Sequence, residues 1–321
     1  MQLALDPAAQ KEMRLSAAES RRVDEAFGKI APRVWLLRDV SQGAGAAEKA
    51  KLLASFATEL ETILQPAQLE RLRQLVVRAR GWPGVTAPPA GDRLRLTSAQ
   101  RDAIAGITDK TQRAVAALAA SNDETAATNE AIRKLRTEEG TAIQALFTPE
   151  QRATLVQLVG GPFDLDQVQP IRFPAPEVKP LDTWIHTRPL KLADLRGKVV
   201  AFHFWAFGCI NCIHNLPHYA KWHHELAPRG LVVLGMHTPE TQAERSVDNL
   251  RAKVGEYEIA YPVAFDGQAA NWAAWGNSVW PAVYLVDKQG RVRYWWYGEL
   301  NWQGAEGEKF MRQKIEQLLA E

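Results

Sequence analysis

Hydrophobic residues in the first 165 positions recur at helical spacing. They fall three or four residues apart, so each segment places its apolar side chains on one face of a helix. Three such faces are formed by Leu53, Phe56, Leu60, Ile63 and Leu64, by Ile104, Ile107, Val115 and Leu118, and by Ile132, Leu135, Ile143 and Leu146. Ser16, Thr97 and Thr148 stand where N-caps are expected. The pattern predicts an all-α domain over residues 1–160.

Two short sequence boxes occur twice within this helical region. Residues 15–19 resemble residues 96–100, and residues 63–68 resemble residues 146–151. The nearly constant offset predicts a duplicated unit, with repeats over about residues 13–82 and 94–161. Each repeat is expected to be a long helical hairpin followed by a short helix. Two such units would pack as one helical bundle.

The pattern changes after residue 160. Five prolines between Gly160 and Pro180 predict a linker and lead-in over residues 161–180. Beyond it, β-rich runs at residues 199–205 and 231–237 flank a predicted helix from about Cys209 to Leu226. Further runs at residues 282–286 and 291–297 predict a hairpin, and a last helix follows it. This order predicts an α/β domain over residues 173–321.

Composition and charge exclude only a few classes of function. The net charge is +2 and charged residues make up 24% of the chain. The basic residues are interspersed with acids, which argues against a nucleic-acid-binding surface. No apolar run approaches the roughly 20 residues needed to span a bilayer. Residues 1–7 show neither a basic nor an apolar signal region, so we expect a cytosolic protein or an exported one whose signal has been removed.

The chain has only two cysteines, Cys209 and Cys212, separated by two residues. They directly follow a predicted buried strand and open a predicted helix. Unpaired amides and the dipole at a helix N-terminus favour the thiolate of the first cysteine, which is the form that attacks disulfides. The second cysteine, one turn further on, can resolve the mixed disulfide. We therefore expect Cys209 to be the nucleophile, Cys212 to be the resolving thiol, and their disulfide to serve in place of a cofactor.

Other uses of this pair fit less well. Structural zinc usually takes four ligands, and His214 and His218 are the only nearby candidates to complete a site. Pro217 lies between them, so convergence on both sulfur atoms is not expected and no metal is predicted. Haem attachment requires a histidine where Ile213 stands. The Pro-x-x-x-Thr-x-x-Cys pattern of peroxiredoxins is also missing before Cys209.

Residues 204–212, Phe-Trp-Ala-Phe-Gly-Cys-Ile-Asn-Cys, resemble the active-site strand and helix of thioredoxins. Pro217 matches the proline that kinks their helix, and residues 279–282 resemble the loop with their cis-proline. Residues 191–198 and 237–240 add a likeness to the TlpA-like group, particularly the soluble domain of DipZ-type proteins. Residues 238–265 resemble that group's extra helix and strand. The resemblance implies a thioredoxin fold for residues 173–321 and a thiol–disulfide oxidoreductase, with reduction of protein disulfides favoured.

The resemblance also implies roles for four residues around the cysteines. Trp205 should lie beside the sulfur atoms, and Pro281 should follow a cis bond next to the bound peptide. Trp280 is bulkier than the usual Thr or Val and is expected to shape the peptide-contacting surface. His203 stands where thioredoxins have a buried acid. It either moves a proton or is a satisfied core residue, and the sequence leaves both alternatives open.

The repeated boxes resemble the Leu-Thr-x-x-Gln motif of the Spy and CpxP group of helical periplasmic proteins. Residues 96–100 match it fully and the other boxes match loosely, although an ordinary N-cap gives the same pattern. The resemblance implies a periplasmic or otherwise exported protein. Expected partners are protein thiols or disulfides, an unidentified redox partner and, through the helical domain, a second copy. The alternative function is a chaperone-like or scaffolding envelope protein that uses the redox domain for docking.

Overall fold

A computed structural model describes residues 1–119 and 126–321 of the chain. Residues 120–125, which belong to the second predicted repeat, lie outside the described residues. The chain divides into two compact units. The first comprises Met1–Asp24 and Ala57–Gln169, and the second comprises Glu25–Phe56 and Pro170–Glu321.

In the described part of residues 1–169 the structure contains helices and no β-strand, as the periodicity predicts. They are α1 (Gln2–Leu5), α2 (Pro7–Glu12), α3 (Ala17–Leu36), α4 (Gly43–Ile63), α5 (Pro66–Thr86), α6 (Ala90–Arg93), α7 (Ser98–Ala119), α8 (Ala126–Ala145) and α9 (Pro149–Val159). None of the helices formed by described residues combines the length and apolar composition that crossing a bilayer requires.

The boxes at the helix starts are connected in the same way in both proposed repeats. In the second repeat, the Gln151 side chain caps the start of α9, and its Nε2 donates to Oε1 of Gln100 at 3.1 Å. In the first repeat, Nε2 of Gln68 donates to Oε2 of Glu19 at 3.3 Å. Glu19 and Gln68 occupy the positions that correspond to Gln100 and Gln151. This shared cross-box hydrogen bond supports the proposed duplication.

The second unit contains a seven-stranded sheet in the order β1-β7-β6-β3-β4-β5-β2. Its strands are β1 (Phe173–Pro174), β2 (Trp184–Ile185), β3 (Val199–Trp205), β4 (Leu231–His237), β5 (Val263–Phe265), β6 (Ala282–Val286) and β7 (Arg291–Tyr297). Its remaining helices are α10 (Ile210–Leu226), α11 (Val247–Glu256), α12 (Ala270–Trp275) and α13 (Gly307–Ala320). β3, β4 and β5 run parallel, whereas β6 and β7 are antiparallel to their neighbours. The predicted α/β thioredoxin-type layout is confirmed.

Every residue of β3 is buried, because helices cover both faces of the sheet. Side chains alternate between the faces of a strand. On one face, Val199, Ala201 and Trp205 join a core cluster with residues of α10, α11 and α13. On the other, the Phe202 ring lies 4.6 Å from the ring of Trp275 in α12.

Residues 25–56 cover part of that second face, so the compact units do not follow the boundary predicted near residue 160. Trp35 of α3 is 1% exposed, and its ring lies 5.7 Å from that of Tyr284 and 5.6 Å from that of Trp295. The Arg38 guanidinium stacks over the Trp35 ring at 4.0 Å and donates to the Tyr297 hydroxyl at 2.7 Å. Periodicity shows that a helix has an apolar face, but it does not reveal which surface that face covers.

We expect Trp35→Ala to destabilise the protein by about 3–5 kcal/mol, the usual cost of truncating a large buried aromatic side chain. Urea unfolding followed by circular dichroism measures the loss. Leu36→Ala, at the adjacent and 36% exposed position, is the matched control and should cost less than about 1 kcal/mol. Equal losses in the two variants would contradict the anchoring role of Trp35.

Candidate active site

The two cysteines lie where the central strand passes into α10. β3 ends at Trp205, and Cys209 is the N-cap of α10 with extended backbone angles (φ −82°, ψ 109°). Its carbonyl oxygen accepts hydrogen bonds from the amides of Cys212 and Ile213, both at 3.0 Å. Cys209 is half-buried and Cys212 is fully buried. The first sulfur is therefore the one that a substrate can approach.

The surroundings shift the two thiols in opposite directions. The pKa of Cys209 is lowered, chiefly because its sulfur accepts a hydrogen bond from the Cys212 thiol, with help from the amides of Cys212 and Asn211. Burial and the Glu240 carboxylate oppose this shift. The pKa of Cys212 is raised, first by burial and then by its hydrogen bond to Cys209. One thiol thus gains thiolate character while the other holds its proton.

Trp205, Trp280 and the cysteines contact the same core cluster. Trp205 and Cys212 are buried members of the cluster, and Cys209 and Trp280 pack against its edge. The peptide bond between Trp280 and Pro281 is cis. The Trp280 indole stacks on the Trp272 ring at a centroid distance of 3.8 Å, and its Nε1 donates to the Thr238 carbonyl oxygen at 3.1 Å.

His203 lies in β3 behind the cysteines and is fully buried. Its ring stacks on Tyr219 of α10 at 4.1 Å, and burial lowers the pKa of His203 to about 3. Neither ring nitrogen has a hydrogen-bond partner among the described residues. The pKa of Tyr219 is raised, mainly by burial and secondly by Cys212, so the Tyr219 ring links the surroundings of His203 to those of Cys212. At neutral pH the imidazole is uncharged.

Comparison with known proteins finds relatives of the C-terminal half. Residues 171–295 match the sequence profile of the AhpC/TSA family. This part of the chain is therefore similar to that family. The domain is 41% identical over 128 residues to Protein DipZ of Mycobacterium bovis, an alignment that covers 39% of this chain and 18% of DipZ. The chain therefore spans less than a fifth of that relative.

Two further likenesses concern proteins of about the size of the domain. The thiol-disulfide oxidoreductase YkuV of Bacillus subtilis is 24% identical over 151 residues, covering 47% of this chain and 97% of YkuV. A crystal structure of a thioredoxin-like superfamily protein superposes with a TM-score of 0.41 and 29% identity, covering 46% of this chain and 96% of that one.

The two histidines considered as metal ligands point to a different segment of the domain. His214 Nδ1 lies 2.9 Å from Oε2 of Glu299, and His218 Nε2 lies 3.4 Å from Nδ2 of Asn301. Within residues 1–119 and 126–321, no three His, Cys, Asp or Glu side chains converge as a metal site would require. These contacts tie α10 to the chain that follows β7.

Two residues beside the cysteine loop were missed by the sequence analysis. The Glu244 carboxylate accepts the amide hydrogen of Gly208 at 2.7 Å, and the Tyr257 hydroxyl donates to the Phe207 carbonyl oxygen at 3.2 Å. Both belong to the segment of residues 238–265, which resembles the extra helix and strand of TlpA-like proteins. That resemblance was the only signal, because neither residue forms a motif with the distant cysteines.

Buried histidines make the stability of this domain depend on pH. Burial lowers the pKa of His203 to about 3 and that of His237 to about 4, from the ordinary 6.5. Between pH 6.5 and about pH 4, the unfolded chain binds protons at these two histidines that the folded chain does not bind. The free energy of unfolding must therefore fall as the pH falls from 6.5. In urea unfolding at pH 6, 5 and 4, we expect His203→Phe to reduce the slope by about 1.4 kcal/mol per pH unit. An unchanged slope would contradict a neutral, buried His203.

Proposed function

We propose that the protein is a thiol–disulfide oxidoreductase that reduces protein disulfides through Cys209 and Cys212. The observation that carries this proposal is the position of the half-exposed Cys209 at the N-cap of α10, one helical turn before the buried Cys212. This arrangement lowers the pKa of Cys209 and raises that of Cys212. A half-exposed sulfur with thiolate character stands next to a buried sulfur that retains its proton. This is the asymmetry that a nucleophile and a resolving thiol require.

In the first step the Cys209 thiolate attacks one sulfur of the substrate disulfide. The substrate S–S bond breaks, a Cys209–substrate disulfide forms, and the other substrate sulfur leaves as a thiolate that takes a proton from water. The amides of Asn211 and Cys212 stabilise the attacking thiolate without moving, because the helix holds them in place.

In the second step Cys212 resolves the mixed disulfide. It gives up its proton, and its sulfur attacks Sγ of Cys209, which releases the second substrate thiolate. The released thiolate takes up one proton, so the proton balance is preserved. The substrate gains two electrons and the protein is left with a Cys209–Cys212 disulfide. An unidentified dithiol partner must then reduce that disulfide to restore the starting form.

Three features support an extended peptide as the substrate. Ile210, next to the nucleophile, is 60% exposed, and Val279, before Trp280, is 44% exposed. Both offer exposed apolar surface, one next to Cys209 in the chain and the other next to Trp280. Trp280 itself is half-buried, and its indole is held by Trp272 and by Thr238. Pro281 follows directly, where the thioredoxin resemblance expects contact with the peptide backbone.

The direction of electron flow is taken from the resemblance of residues 173–321 to TlpA-like and DipZ-type domains, which implies reduction of protein disulfides. We therefore favour a reductase over an oxidase.

We also propose an exported or periplasmic location, with the helical unit able to pair two copies. Both statements are predictions from the resemblance of the helical boxes to Spy and CpxP. The cross-box hydrogen bonds of Glu19 with Gln68 and of Gln100 with Gln151 support the duplication on which that resemblance depends.

Cys209→Ser should abolish reduction of insulin by dithiothreitol above the uncatalysed rate, because the attacking thiolate is lost. Cys212→Ser should still form the first bond and accumulate a mixed disulfide, visible on non-reducing gels and by mass spectrometry. Equal rates in the unmodified protein and in Cys209→Ser would contradict the proposal. If both rates were negligible, the result would favour the docking or chaperone-like alternative.

Trp280→Ala should change substrate preference more than intrinsic reactivity. We expect insulin reduction to slow about tenfold, equivalent to losing about 1.4 kcal/mol of aromatic contact, while the rate with a small disulfide such as hydroxyethyl disulfide is unaltered. Trp302→Ala, at an exposed tryptophan of the same unit, is the control. Unchanged kinetics of Trp280→Ala across all disulfides would argue against a role of Trp280 in peptide contact.

A further inference from the structure

A buried carboxylate lies beside the residue that precedes Cys209. Glu244 is 1% exposed, and its oxygens accept three backbone amide hydrogens. Oε1 accepts from Gly208 at 2.7 Å, and Oε2 accepts from Glu240 at 2.8 Å and from Thr241 at 2.6 Å. Burial alone raises the pKa of Glu244, but these hydrogen bonds outweigh it and the net pKa is lowered. Glu244 is therefore an anion that the backbone compensates.

The three donors come from two different loops. Glu240 and Thr241 belong to the loop after β4, which also carries Glu244. Gly208 belongs to the loop that joins β3 to α10. The carboxylate consequently fastens one loop to the other. The loop after β4 has a second attachment at this point, because the Thr238 amide donates to the Trp205 carbonyl oxygen at 3.0 Å.

The loop before Cys209 has few other restraints on its backbone. The Tyr257 hydroxyl holds the Phe207 carbonyl, and the Cys209 amide donates to the Ala206 carbonyl oxygen at 3.2 Å. This loop decides where the Cys209 sulfur lies relative to the amides of Asn211 and Cys212. Hydrogen bonds weaken steeply when their angle changes. A small movement of the loop would therefore weaken the hydrogen bonds that both amides donate to the Cys209 sulfur.

We propose that Glu244 is a positioning residue for thiol–disulfide exchange, whose carboxylate holds the Gly208 amide and thereby keeps the Cys209 sulfur against the amides that open α10. The effect of Glu244 on catalysis rests on the proposed function. The geometric effect on the Cys209 sulfur does not need a substrate, so it can be tested separately.

Several ionisable groups face this region and must be considered in any titration. Cys212 and Glu240 act on the Cys209 sulfur. His237 of β4 senses the Glu244 charge, but burial lowers its pKa to about 4, so it is neutral in the alkaline range where thiols titrate. The Tyr257 hydroxyl contacts the loop through Phe207. His237 therefore adds no change of charge to a titration of the thiols above pH 6.

The test is the pH dependence of Cys209 alkylation by iodoacetamide in the reduced full-length protein, followed by mass spectrometry without any disulfide substrate. In Glu244→Gln, the side-chain NH₂ group faces amide donors and cannot accept their hydrogens. In Glu244→Asp, the charge remains but the side chain is one methylene shorter. We expect both variants to raise the alkylation midpoint by about one pH unit and to slow alkylation at pH 7 about tenfold.

The controls separate position from charge. Glu256→Gln removes an exposed carboxylate of α11 and should leave the midpoint unchanged. A midpoint equal to that of the unmodified protein in both Glu244 variants would overturn the proposal. A lowered midpoint in Glu244→Gln with no change in Glu244→Asp would also overturn it, because Glu244 would then act only as a repelling charge.

If Glu244→Gln fails to fold by circular dichroism, Glu244→Asp and Tyr257→Phe decide the question. Tyr257→Phe releases Phe207 without changing any charge and should raise the midpoint by a smaller amount; no shift in either variant would overturn the proposal. Insulin reduction, measured on the same proteins, tests the proposed function independently. A shifted midpoint without insulin reduction by the unmodified protein would leave the positioning claim standing and contradict only the function.

Discussion

The position of Cys209 at the N-cap of α10, with the buried Cys212 one helical turn further on, sets the chemistry that we propose for the site. The Cys212 thiol lowers the pKa of Cys209 by donating to its sulfur, and burial together with this contact raises the pKa of Cys212. This asymmetry requires the two cysteines to be one helical turn apart with the first at the helix N-cap. The place where β3 ends and α10 begins provides that arrangement.

The position of α10 depends in turn on burial of the sheet from both sides. On one face Trp205, Cys212 and the helices around them form a continuous apolar core. On the other, Trp35 and Arg38 from residues 25–56 pack against Tyr284. Residues 25–56 are thus a structural part of the second compact unit. Loss of this cover would expose the aromatic face of β3 and β6, whose other face contributes to the core around Cys212.

The extent to which sequence predicts this structure depends on whether a feature is local. β3, β4, β6 and β7 begin and end where their β-rich runs do. Cys209 and Cys212 could be proposed as the reacting pair because the strand, the cysteine spacing and the helix start are contiguous in the chain. Residues 25–56 were assigned to the helical domain because an amphipathic helix looks the same whatever it covers. Glu244 was missed for a related reason, since its three partners are backbone amides, which no side-chain pattern can reveal.

The reduction potential of the Cys209–Cys212 pair tests the central claim most directly. It can be obtained by equilibrating the full chain in dithiothreitol or glutathione redox buffers and counting free thiols by mass spectrometry. We predict a disulfide that forms reversibly with a potential near the reducing end of this class, about −270 mV, and in any case below about −200 mV. A potential near about −120 mV would indicate an oxidase, and a pair that never forms a disulfide would contradict the account altogether.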